Sequence, residues 1–322
     1  MLIFKAKTTC PAKLNLSLKI ALERRADSYH ELESLMQMID LADQLTLELY
    51  PGTGHSLDLE FDPELSRELE QSENFERLYA ELKSADNLLI KAATAWFEAQ
   101  AKDLPRDYAC KWSLYKKTPL GAGLGGGSSD AVAALRLLNA FAKEAQKTSF
   151  TRRRKPRVLS DSELHDIAKS LGADLPFFLL DSSLAKASGI GTDLKPLDGT
   201  ELKHYLVGIA ASPYSTVEAY QKLDELRLAE TFQAQPYAND FTLLYLDTYA
   251  ELEASRKDLA ALSLQLSGSG PSFFYSFNSA KEAKKALAEI QTKAKYQKLR
   301  QLRRWIYVQS LERPPAVELL KV

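Results

Sequence analysis

Between Lys116 and Leu138 the chain reads KKTPLGAGLGGGSSDAVAALRLL, and five of its 14 glycines fall between Gly121 and Gly127. Glycine has no Cβ, so such a loop brings bare backbone against a ligand. Ser128 or Ser129 is placed to cap the helix that AVAALRLL predicts, with Val132, Leu135 and Leu138 on one face. Free N–H groups and a positive dipole end at such a helix start suit phosphate. Three more positions carry groups that can do chemistry. Lys13 and Asn15 share the polar face of PAKLNLSLKI, where Leu14, Leu16, Leu18 and Ile20 alternate with polar residues. Asp174 stands beside the apolar run Leu175-Pro176-Phe177-Phe178. An unpaired carboxylate there is costly and needs a cationic partner or a role. Tyr29 and His30 are an adjacent aromatic and imidazole, able to stack on and hydrogen-bond a base, although such pairs are more often structural.

The loop fits neither of two common phosphate motifs well. In a Walker A reading from Gly121, the lysine position is filled by Gly127. Gly121, Gly123 and Gly126 do spell G-x-G-x-x-G. A dinucleotide loop, however, follows a buried and nearly continuous apolar strand. Here the preceding segment, CKWSLYKK, is polar.

The elements that must position these groups follow from periodicity. Pro11 to Ile20 reads as a half-buried strand, and Gln44 to Leu49 as another. Residues 51–86 are polar and acidic, with a charged surface helix expected from Glu64 to Leu82. Asp86 or Asn87 caps NLLIKAATAWFEAQ, an amphipathic helix. Tyr108 to Tyr115 is a strand leading into the glycine loop. The basic run Thr151 to Arg157 lacks interleaved aromatics and reads as a solvated loop. Ser160 or Asp161 begins a helix that Gly172 ends. Later come the strand Tyr205 to Ala210, a helix entered at Ser215 or Thr216, and a second glycine turn, Leu266 to Ser272. An aromatic strand from Phe273, a helix from Ala280 to about Tyr296 and a strand from Trp305 to Ser310 complete the chain. The change of pattern near residue 182 divides it into 1–181 and 182–322.

Composition excludes several classes. The 322 residues are 45% hydrophobic and 26% charged, as in a folded globular protein. A net charge of −1 implies no general binding of polyanions, so no nucleic-acid partner is expected. Two cysteines form neither a disulfide scaffold nor a metal-spacing cluster, and four histidines include no H-E-x-x-H. No apolar run approaches a membrane span, and MLIFKAKTTC lacks a signal-peptide pattern. Cytoplasmic residence, with no membrane and no obligate protein partner, is therefore expected.

PAKLNL at 11–16, PLGAGLGGGSSD at 119–130 and LSGSGPS at 266–272 stand in the order of the galactokinase, homoserine kinase, mevalonate kinase and phosphomevalonate kinase (GHMP kinase) superfamily, which the chain resembles. Its flanking pieces, RRADSYHELESLMQMIDLADQL, LGADLPFFL, ASGIGTDLKPL and SGSGPSFF, resemble the 4-diphosphocytidyl-2-C-methyl-D-erythritol kinase family. The resemblance implies an α+β fold of two lobes. The N-terminal, ATP-binding lobe is like ribosomal protein S5 domain 2, the C-terminal substrate lobe is ferredoxin-like, and the cleft lies between them. It implies transfer of the γ-phosphoryl of ATP to the 2-hydroxyl of a cytidylyl methylerythritol substrate, in the non-mevalonate route to isoprenoids.

Matched position by position, Lys13 and Asp174 fall on the family's catalytic pair. Pro119, Leu120, Gly121, Ala122, Gly123, Leu124, Gly125, Gly126, Gly127, Ser128 and Ser129 fall on its ATP phosphate loop. Asn87 and Lys116 fall near the adenosine. Asn15, Tyr29 and His30 fall on the substrate side, with Tyr29 stacking on cytosine and His30 bonding its edge. ATP implies Mg²⁺, for which no protein ligand is assigned. Ser28 stands where the family usually has glycine, and Thr192 follows Gly191 where it usually has glutamate. A second aromatic for the cytosine is unassigned, with Tyr214 a candidate. The rival expectations are another small-molecule kinase of the superfamily, such as homoserine or mevalonate kinase, and a catalytically silent nucleotide sensor on the same fold.

Overall fold

The computed structural model describes residues 1–70, 75–100, 108–147, 155–198, 201–210, 214–228 and 237–321. The basic run at 151–157 thus lies mostly outside the described residues.

Two long strands dominate the first lobe. β1 (Phe4–Arg24) and β2 (His30–Pro51) run antiparallel for nearly their whole length and extend well beyond the short strands expected. Each breaks register where the site lies. Between Pro11 and Lys13 the β2 partner jumps from Ala42 to Met38. Into that irregularity the glycine loop docks, with the Lys13 N–H donating to the Leu124 carbonyl at 2.9 Å. β3 (His55–Phe61) and β4 (Tyr108–Lys116) extend the sheet beyond β2, while β5 (Leu184–Ser188) and β6 (Asp193–Leu197) join it by pairing β5 with β2. The change of sheet therefore falls after Leu197, not at 181/182. The cause is register: Ala185 and Ala187 pair with Met36 and Ser34 and are buried in the first core.

The acidic stretch holds α1 (Pro63–Glu70) and α2 (Phe75–Lys83), the four positions between them lying outside the described residues. α3 (Leu88–Glu98) and α4 (Gly126–Lys147) cover the sheet, burying Trp96, Leu135 and Phe141 against Trp112 and Leu47. Full burial of each such side chain stabilises the fold by roughly 1.5–3 kcal/mol. Ser160 and Glu163 form a capping box at the start of α5 (Asp161–Leu171), and the five-residue α6 (Leu175–Leu179) follows.

The second sheet has the order β10-β7-β9-β8, all antiparallel: β7 (His204–Ile209), β8 (Ser263–Ser267), β9 (Ser272–Phe277) and β10 (Arg304–Gln309). Alternation decides its two faces. Leu206, Phe273 and Tyr275 pack on helices α7 (Thr216–Leu228), α8 (Leu246–Arg256) and α9 (Ala280–Thr292). Tyr205, Val207, Ile209 and Phe274 instead pack on Ala12, Leu14, Ile39 and Leu124 of the first lobe. The lobes thus share an apolar seam directly behind Lys13. The chain ends by returning to the first sheet, where β11 (Glu318–Leu319) pairs with β1.

Candidate active site

The opposite face of that strand lines a cleft of about 560 Å³ between the lobes. Lys13 is 3% exposed, and its ammonium donates to the Asn15 side-chain oxygen while standing 3.4 Å from Asp174 Oδ2. Asn15 is fixed in turn: its side-chain nitrogen donates to Ser34 Oγ at 2.8 Å, and its backbone N–H to Ser267 Oγ at 3.0 Å. Asp174 sits at the start of α6 and makes no capping bond there. Its carboxylate is 41% exposed and faces the cleft. The strand face and the carboxylate read from the sequence therefore meet.

The glycine loop forms the adjoining wall. Its helix begins at Gly126, earlier than expected, so Ser128 and Ser129 lie in the first turn and do not cap it. Gly123 and Ser128 line the cleft. Gly125 has φ +72°, and a Cβ there would meet the Phe178 ring at 3.0 Å and Cγ of Lys13 at 3.2 Å. Gly123 has φ +71°, and a Cβ there would stand 2.6 Å from the Gly270 carbonyl oxygen. The loop is thus clasped by the second glycine turn, with Ser272 Oγ donating to the Ala122 carbonyl at 2.7 Å. Asn239, which sequence reading missed, holds that turn by donating to the Leu266 and Gly268 carbonyls, each at 2.8 Å.

Two residues expected on the ATP side have their side chains engaged away from the cleft. The Lys116 ammonium does not face the cleft. It is buried between Asp43 and Asp130, at 2.7 Å from the latter. Asn87 caps α3, accepting the Leu89 N–H at 2.9 Å, and is not among the residues lining the cleft.

The far end of the cleft holds Tyr29, His30, Tyr220 and Arg24. Tyr29 is 63% exposed, its ring free to cover a ligand. His30 is buried, its ring nearly parallel to that of Tyr220 at 5.9 Å. Its Nδ1 lies 2.9 Å from the Ala21 carbonyl and so carries hydrogen, and its Nε2 lies 2.9 Å from Asp224 Oδ1. Both edges of the ring are thus engaged by protein, so in this structure neither is open to a base. Burial first, and the charge of Asp174 second, push the Tyr220 hydroxyl up to about 12, so it stays a neutral phenol. Tyr214 packs edge-on against Tyr245 and is not among the cleft residues, whereas Tyr220 and Phe241 line the cleft together with Tyr29. The signal for it was slight: Tyr220 and Asp224 share one face of α7 at i and i+4, but their partner is 190 residues away. Ser28 has φ +67°, the left-handed conformation that glycine adopts without strain, and its carbonyl is held by Arg24 at 2.6 Å.

A profile of the GHMP kinases N terminal domain matches residues 87–182. A 4-diphosphocytidyl-2-C-methyl-D-erythritol kinase of Desulfotalea psychrophila is 32% identical over 296 residues, 85% of this chain and 86% of its own. One from a Shewanella strain is 34% identical, over 87% and 88%. A crystal structure of 4-(cytidine 5'-diphospho)-2C-methyl-D-erythritol kinase superposes with a TM-score of 0.64 at 28% identity, covering 94% of this chain and 98% of that one. A homoserine kinase from Cytophaga hutchinsonii reaches 0.58 at 16% identity, over 98% of both chains, and shows the two-lobed α+β fold alone.

Proposed function

The chain belongs to the 4-diphosphocytidyl-2-C-methyl-D-erythritol kinases, a family of the GHMP kinase superfamily, and on that footing we propose how its site works. The enzyme moves the γ-phosphoryl of ATP onto the 2-hydroxyl of 4-diphosphocytidyl-2-C-methyl-D-erythritol, in the non-mevalonate route to isoprenoid precursors. The observation that carries the assignment of roles is the two-ended cleft, with Lys13, Asp174 and the glycine loop at one end and Tyr29, His30 and Tyr220 at the other.

Phosphoryl transfer needs positioning and neutralisation of charge more than covalent chemistry. The loop from Pro119 to Ser129 and the α4 N-terminus hold the phosphates of ATP. Lys13, already poised beside Asp174, neutralises charge on the transferred group and on the attacking oxygen. Asp174 accepts the hydroxyl hydrogen and takes the proton as the new O–P bond forms. The bond between the γ-phosphorus and the bridging oxygen breaks, and ADP leaves. Asn15 fixes the Lys13 ammonium. Tyr29 and Tyr220 offer faces to cytosine, and His30 is the imidazole beside them, held in place by Asp224.

Mg²⁺ fits as the companion of ATP. Among the described residues no cluster of three or more carboxylate, imidazole or thiolate groups is arranged to hold a metal, and Asp174 is the sole carboxylate lining the cleft. Mg²⁺ brought in with the nucleotide would need no dedicated protein cage and would supply neutralisation of phosphate charge. No described helix is long and apolar enough to cross a membrane, and cytoplasmic residence fits a water-soluble substrate.

The test is a coupled assay with ATP and, in turn, the cytidylyl substrate, homoserine and mevalonate. Turnover is expected with the first alone. Equal turnover of homoserine or mevalonate points to another kinase of the superfamily, and ATP binding without turnover of any of them points to a silent sensor.

A further inference from the structure

Lys116 ends β4, and Asp130 lies 14 residues later in the first turns of α4. The glycine loop is the chain between them. The Lys116 ammonium bridges Asp130 and Asp43, and all three side chains are buried, with 2%, 6% and 0% of their surfaces exposed. Asp43 belongs to β2, and its second oxygen accepts the N–H groups of Lys117 at 2.6 Å and Thr118 at 2.7 Å, the first two residues of the loop. The entry, the exit and a rigid strand beneath are thereby tied at one point. Packing repeats the tie, since a Cβ on Gly126 would meet the Thr118 side chain at 2.9 Å.

Buried charges without partners are costly, and breaking a buried pair leaves the remaining charge uncompensated. Two carboxylates share one ammonium here, and Asp130 Oδ1 has no hydrogen-bond partner. A core built for stability alone gains nothing from the second acid. An Asp130 that holds Lys116 while Lys116 holds Asp43 does something else: it fixes the span and twist of the intervening loop.

We propose that Asp43, Lys116 and Asp130 are positioning residues, an ionic staple that holds the phosphate loop in its ATP-binding shape without touching the nucleotide. The staple depends on the reading of that loop as the ATP cradle, and the experiment separates the two. Asp130→Ala, Asp130→Asn and the wild type are compared by amide hydrogen exchange across residues 117–129 without nucleotide, by ATP affinity in calorimetry, and by KM for each substrate.

Asp130→Ala is expected to speed exchange in the loop at least tenfold relative to β1 and β2. It should weaken ATP about tenfold and move KM for the cytidylyl substrate less than twofold. Asp130→Asn, which keeps an acceptor for Lys116, should recover most of both losses. Should the alanine variant not fold, Asp130→Ser carries the same expectation. Unchanged loop exchange in a folded variant overturns the staple, as does an equal rise of both KM values. Fast exchange with unchanged ATP affinity keeps the staple and instead removes the loop from the ATP site.

Discussion

His30 places Nε2 2.9 Å from Oδ1 of Asp224, a residue 194 positions later on a helix of the other lobe. The same carboxylate accepts from Arg24, whose Nε stands at 3.1 Å. One acid therefore binds both strands of the β1–β2 hairpin tip to α7. Asp224→Ala should raise KM for the cytidylyl substrate, because the imidazole loses the group that holds it, and should leave KM for ATP within about twofold. A lower KM for the cytidylyl substrate would show that Asp224 competes with the base for His30.

Tyr220 lines the same cleft as Tyr29. Base–aromatic stacking is worth roughly 1–3 kcal/mol by alanine substitution, a factor of about 5 to 150. Tyr220→Ala and Tyr29→Ala should each raise KM for the cytidylyl substrate within that range. Methylerythritol phosphate without the cytidylyl group should be a poor substrate for the wild type. Comparable kcat/KM on both compounds would mean that the base is not read.

Lys13→Ala and Asp174→Asn should each lower kcat by about 100-fold or more, the scale of lost acid–base assistance. ATP affinity should change much less. Near-normal turnover in folded Asp174→Asn would remove the proton acceptor from the mechanism.

Gly125 stands where loop and lysine touch. A methyl at 3.2 Å from Cγ of Lys13, on a backbone with φ +72°, displaces the lysine stem as well as straining the loop. Gly125→Ala should therefore lower kcat as well as ATP affinity, whereas Gly121→Ala, where a Cβ meets nothing within 4 Å, should spare kcat. Equal kcat in the two variants would contradict this contact.

Burial raises the Asp130 carboxyl to about 7, with Lys116 opposing the rise and Asp43 adding to it. The folded state thus keeps a proton that the unfolded chain releases near its ordinary value of about 4. Stability from this group is complete below about pH 4 and is lost as pH rises through about 7. Asp130→Asn removes that loss. The melting temperature of the variant minus that of the wild type should rise from pH 5 to pH 8, and a constant difference would speak against a shared proton in the cluster.

The chemistry-bearing residues were legible where a local pattern carried them. Alternation put Lys13 and Asn15 on one face, clustered glycines marked the loop, and an acid against an apolar run marked Asp174. Lys116 was legible too, but by a signal not followed: Cys110, Trp112, Leu114 and Lys116 occupy alternate, buried positions of β4, so the lysine had to point inward. Tyr220 and Asp224 were not, because α7 looks like an ordinary surface helix until the other lobe is set against it. The change of sheet after Leu197 was illegible for the same reason, since β5 and β6 belong to the first sheet only through pairing with a strand about 150 residues earlier.

The near-contact of Gly123 with Gly270 has a mechanical consequence. Backbone meets backbone there with no side chain to slide or compress, and Ser272 pins the two together. Any side chain added at Gly123 would therefore have to part the two lobes before it could be accommodated.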